Sequence, residues 1–101
     1  MKALAREKSV PGVVESQFTR ELLLAEAATD RELHQSNILR EMYFSEAEHE
    51  AFLILECSGA EKARQHLSQL PLVRAGLIDF EVTPLVPYDG FARLFAMAPG
   101  K

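Results

Sequence analysis

The chain has 101 residues, with 15 acidic and 11 basic side chains and a formal net charge of −4. That length suits one small domain, and the acidic balance argues against a phosphate-backbone partner, so no nucleic acid is expected. A hydrophobic share of 48% and a single cysteine exclude a disordered chain, an internal disulfide and a multi-cysteine metal site, and no run approaches the ~20 apolar residues of a membrane span.

Met1 to Lys8 alternates loosely and reads as a first strand. It lacks the apolar core of a signal peptide, so a cytoplasmic location is expected. Pro11-Gly12 turns the chain. Glu15 to about Ser36 reads as a long helix, with Phe18, Leu22, Ala25, Thr29 and Leu33 forming its buried stripe. Ser16 is the expected N-cap and Asn37 the expected left-handed stop. Leu23 and Leu24 lie off that stripe, where a monomer leaves them wet.

Ile38 to Phe44 and Glu50 to Cys57 are rich in aliphatic and aromatic residues and read as strands. The short polar link Ser45-Glu46-Ala47-Glu48 makes them an antiparallel hairpin. Ser58-Gly59-Ala60-Glu61 has the spacing of a capping box, opening a second helix with Ala60, Ala63, Leu67 and Leu70 buried. Pro71 interrupts it. Leu77 to Leu85 is the last strand, with Ile78, Phe80 and Val82 on one side and Asp79 and Glu81 on the other.

The order βαββαβ predicts an α+β, ferredoxin-like domain over residues 1–87. Two helices then cover one face of a four-stranded antiparallel sheet. Strands two and three are expected at its centre. Apolar residues occupy both alternations of these strands, so the uncovered face needs a partner. A second copy of the chain is the simplest one, and two sheets face to face make a dimeric α+β barrel. Residues 88–101 form an aromatic tail with Tyr88, Phe91 and Phe95, expected to pack on a neighbouring subunit.

Four stretches carry a family resemblance: Arg40-Glu41-Met42-Tyr43-Phe44, His49-Glu50-Ala51, Leu67-Ser68-Gln69-Leu70-Pro71-Leu72, and Ile78-Asp79-Phe80-Glu81-Val82-Thr83-Pro84-Leu85. Over about residues 38 to 88 the sequence resembles the muconolactone isomerase family. The Leu-Pro-Leu after the second helix and the His-x-Ala opening the third strand are its most specific parts. The resemblance implies a cofactor-free isomerase of an unsaturated lactone, working as a homodimer or larger oligomer.

Such a reaction needs a base, a grip on negative charge and a dry site. Glu41, His49 and Tyr43 are the expected catalytic residues. Arg6, Arg40 and Glu56 are the expected substrate-binding residues, with a small anionic organic ligand in view and an arginine gripping its carboxylate. The other reading is a non-catalytic ligand-binding or structural oligomer of the same architecture. No metal ligand set is seen in His34, His49 and His66, whose spacing is wrong for one. Walker, dinucleotide and nucleophile-elbow motifs are also missing from the sequence.

Overall fold

In the computed structural model, which describes residues 1–95, strand β1 (Lys2–Ser9) is followed by a 3₁₀ turn at Glu15–Gln17 and helix α1 (Arg20–Gln35). The hairpin β2 (Leu39–Phe44) and β3 (Ala51–Glu56) comes next. Helix α2 (Ala60–Leu67), the single turn α3 (Pro71–Arg74), strand β4 (Ile78–Leu85) and a 3₁₀ turn at Gly90–Leu94 complete the order. All three strand pairings are antiparallel.

Alternation decides which face is buried. Ala3 and Ala5 of β1, and Ala51, Leu53 and Leu55 of β3, point to the helices, where they form one core with Leu33 of α1 and Ala63 and Leu67 of α2. Both helices therefore lie on the same face, as the α+β, ferredoxin-like reading requires. Ile78 and Leu77 join Leu72 in a second cluster, with Phe18, Leu22 and Phe80 packed partly against it. Removing such side chains from water contributes ~25 cal/mol per Å² of apolar area.

The sheet order is β2-β3-β1-β4. This corrects the expectation that strands two and three are central. The two crossovers insert β1 between β3 and β4, which leaves β2 on the edge. Four local expectations also change. The chain from Glu15 makes a 3₁₀ turn in which the Gln17 side chain accepts from the Val14 N–H at 2.8 Å. Helix α1 then starts after Thr19, whose hydroxyl accepts from the Leu22 N–H at 3.2 Å, so Thr19 and not Ser16 is the cap. Ala25 is exposed and its neighbour Glu26 is buried, so the stripe runs one residue later than the apolar pattern suggests. The Ser58 capping box does not form, since Gly59 occupies the cap position with no side-chain bond.

Asn37 does stop α1, in the left-handed region at φ 64°. His34 ties the helix end to β2, its Nδ1 lying 3.1 Å from the Leu39 carbonyl oxygen. No helix among the described residues is long and apolar enough to cross a membrane.

Candidate functional site

Small side chains leave a gap between helix and sheet. Ala27 of α1 and Ala51 of β3 both line a cavity of about 370 Å³ between α1, α3 and one end of the sheet. Its wall is apolar, from Met42, Phe44, Leu72, Ile78 and Phe80, except for three carboxyl groups: Glu7, Glu26 and Asp30. Each reaches the cavity by simple periodicity. Glu7 continues the helix-facing alternation of Ala3 and Ala5. Glu26 and Asp30 follow Leu22 at four-residue steps, and Leu33 closes the same stripe.

Two of the carboxyls have backbone partners. The β1–β3 ladder ends at Arg6 opposite Phe52, and beyond it the Glu7 carboxylate accepts from the Ala51 N–H at 2.9 Å. Glu26 accepts from the Leu72 N–H at 2.9 Å. Leu72 follows Pro71 in the first turn of α3, where its N–H has no intrahelical acceptor, so Glu26 caps that turn from another element. Burial raises the Glu26 pKa; the Leu72 N–H opposes the rise and the nearby Glu7 charge adds to it.

Asp30 is different. Its Oδ1 is buried without a hydrogen-bond partner. Loss of hydration, reinforced by the charge of Glu26, pushes its pKa up to about 7. A carboxyl with an uncommitted oxygen and a pKa near neutrality can take up and release a proton under ordinary conditions.

Neither a protein-family model nor a curated protein sequence matches the chain. Among solved structures, muconolactone isomerase aligns with a TM-score of 0.72, over 88% of this chain and 92% of that one, at 18% identity. The 5-chloro-2-hydroxyhydroquinone dehydrochlorinase TftG from Burkholderia phenoliruptrix AC1100, in complex with 2,5-dihydroxybenzoquinone, aligns with a TM-score of 0.68 over 89% and 98% at 18% identity. The fold is muconolactone isomerase-like. The resemblance read from the four sequence stretches therefore holds at the level of architecture, and the chemistry must be argued from this chain's own groups.

In this muconolactone isomerase-like fold the residues expected from sequence divide between the two sheet faces. Glu41 and Tyr43 share the face away from the helices, opposite Ile54 and Phe52, and the Tyr43 hydroxyl donates to Glu41 Oε1 at 2.9 Å. That bond holds the phenol proton and raises the Tyr43 pKa. Arg6 lies on the same face, 3.4 Å from Glu50 and 5.9 Å from the centre of the Phe52 ring. Glu56 ends β3, paired with the terminal amine of Met1 and with Lys2 at 3.7 Å. Its pKa is lowered chiefly by the bond from that amine, with Arg40 among the more distant charges that help. Arg40 itself sits at the irregularity in β2 pairing between Leu39 and Glu41. His49 adopts a left-handed backbone (φ 55°) in the hairpin loop and stacks on Phe44, ring centres 4.0 Å apart. Phe44 lines the cavity, so His49 touches it only through that ring.

The sequence reading missed Glu7, Glu26 and Asp30. The available signal was the pair of carboxyls at four-residue steps between Leu22 and Leu33, each one position beyond Ala25 and Thr29 of the apolar stripe.

Proposed function

We propose that this protein is a small cofactor-independent enzyme that moves a proton on an oxygenated, unsaturated ring compound, with Asp30 as the base. The carrying observation is the Asp30 carboxyl, with its unpartnered oxygen and pKa near 7, set in the wall of an apolar cavity. The two aligned structures bear names that fit this reading: an isomerase of a lactone and a dehydrochlorinase. Isomerisation by proton transfer moves a proton from one carbon to another. Dehydrochlorination removes a proton and a chloride. In both, a base accepts the proton first.

In the proposed step the ionised Asp30 takes a proton from an acidic C–H or O–H of the ring, and the electron pair spreads onto the ring oxygen. Asp30, once protonated, returns the proton to another position of the ring, and Glu26 stays bonded to the Leu72 N–H beside it. His49 stacks on Phe44, one of the wall residues, and holds that ring in place. The apolar walls keep bulk water from competing for the proton.

Glu41, Tyr43 and Arg6 make a second place for chemistry. The Glu41–Tyr43 bond and the nearby Arg6 cation would become enclosed if two chains packed sheet to sheet, and an anionic group would then meet Arg6. A homodimer formed in this way is part of the proposal.

The test is deuterium uptake in D₂O into a panel of unsaturated lactones and hydroxylated rings. Wild-type protein should promote exchange, and Asp30→Asn should lower the rate by about 100-fold or more, the scale of a lost general base. Exchange that survives Asp30→Asn but disappears in Glu41→Gln would move the chemistry to the other sheet face. Ligand binding without any exchange would favour the binding-protein reading.

A further inference from the structure

The cavity makes a demand on its ligand that the proton-transfer reading does not contain. Its polar groups are Glu7, Glu26 and Asp30, and its other wall residues are aliphatic, aromatic or thioether side chains. Among the described residues no lysine or arginine lines it. The basic side chains of β1 point elsewhere: Lys2, Arg6 and Lys8 alternate onto the face away from the helices, opposite Glu56, Phe52 and Asp79. An ionised carboxyl only accepts hydrogen bonds, so once these groups are charged no wall side chain donates one.

A carboxylate ligand is also acceptor-only. Placed here, it would set negative charge against negative charge in an apolar setting, with no donor to offset its lost hydration. A hydroxyl-bearing ring has what the wall lacks. Its O–H groups donate to the wall carboxyls, Asp30 among them, and its ring fills the apolar remainder between Phe44 and Phe80. A cavity of about 370 Å³ is within the range that holds one small organic molecule.

We infer that the cavity selects uncharged rings carrying hydroxyl donors and rejects ring carboxylates, so that its substrate is a neutral phenol-like or hydroxylated-quinoid compound and not an anionic lactone. This rests on the cavity being the active site. It replaces, for this cavity, the expectation of an anionic ligand held by an arginine.

The experiment compares hydroquinone, 4-hydroxybenzoate and 4-(aminomethyl)phenol at pH 8, which share one ring and one phenol and differ in the charge of the second group. Methyl resonances of Ala27 and Ala51 report occupancy of the cavity. Hydroquinone should shift both and bind at least tenfold more tightly than 4-hydroxybenzoate, and Asp30→Asn combined with Glu26→Gln should narrow that gap. If 4-hydroxybenzoate shifts the same methyls with equal or greater affinity, the charge selection is wrong while the proton-transfer reading survives. Tighter binding of the aminomethyl compound would show a cation site and also overturn the inference. If none of the three perturbs these methyls, the inference and the choice of this cavity as the active site fall together.

Discussion

Asp30 is held in a state that works against stability. Its folded pKa, about 7, is above its ordinary value of 3.8, so the folded protein binds this proton more tightly than the unfolded chain does. The favourable contribution is complete below about pH 4, declines as pH rises through the interval up to about 7, and is gone above it. At pH 8 the folded state carries the full cost of the buried charge. Asp30→Asn should therefore raise stability at pH 8 by about 2–4 kcal/mol, change it little at pH 4, and slow proton transfer by about 100-fold or more. Urea unfolding at the two pH values checks this. A group that makes the protein less stable while it stays ionised fits a functional role better than a structural one. Glu41 contrasts with it: the group is exposed and bonded only to exposed Tyr43, so Glu41→Gln should leave the melting temperature nearly unchanged, and calorimetry would show otherwise if that face contributed to folding in the single chain.

At the scale of elements, Glu26 joins two parts of the fold. Its carboxyl caps α3 through the Leu72 N–H, and the loss of that acceptor should leave a buried donor without a partner. Glu26→Leu should then be less stable than Glu26→Gln by about 1–3 kcal/mol. Exchange of the Leu72 amide with deuterium should accelerate in the leucine variant alone, and equal exchange in both would show that α3 does not depend on this contact. The elements themselves were largely legible in the sequence. Strand alternation in Ala51–Glu56 and in Ile78–Leu85 and the left-handed Asn37 are local signals, and local signals survive folding. The order of strands was not local: whether β1 or β2 sits beside β3 depends on which crossover the helices permit. The cavity was hidden for a related reason. Ala27 and Ala51 look like ordinary small residues until the fold brings both to one cavity wall, and Glu26 and Asp30 look like solvated charges until α1 turns them inward. Hydrophobic patterning ranks such residues as polar-face, and burial overrides it where a cap or a site needs them.

The whole molecule is longer than its body requires. Its Cα radius of gyration is 17.1 Å, against the ~12–13 Å of a compact domain this size. Leu23 and Leu24 are 47% and 60% exposed, and Val86, Tyr88, Phe91, Leu94 and Phe95 are each more than 65% exposed. The tail has local order all the same. The Tyr88 ring lies so close over Gly90 that a side chain there would collide with it, and Tyr88 meets Phe91 edge-on at 5.0 Å. The 3₁₀ turn thus pairs Phe91 with Tyr88, three residues back, where one α-turn would have aligned it with Phe95; residues 96–101 of the expected tail lie outside the described region. We propose that the tail and the uncovered sheet face meet other copies of the chain. Ile54→Lys should then lower the sedimenting mass toward the 11.3 kDa of one chain, and deleting residues 87–101 should weaken assembly; a wild-type protein that sediments as one chain at micromolar concentration would remove the proposal. The central claim is the proton held in the cavity, and it is tested most directly by following the Asp30 carboxyl carbon through a pH titration by nuclear magnetic resonance. A midpoint near 7, moving down when Glu26 is replaced by Gln, is the predicted result. A midpoint close to the ordinary 3.8, indifferent to Glu26, would contradict it.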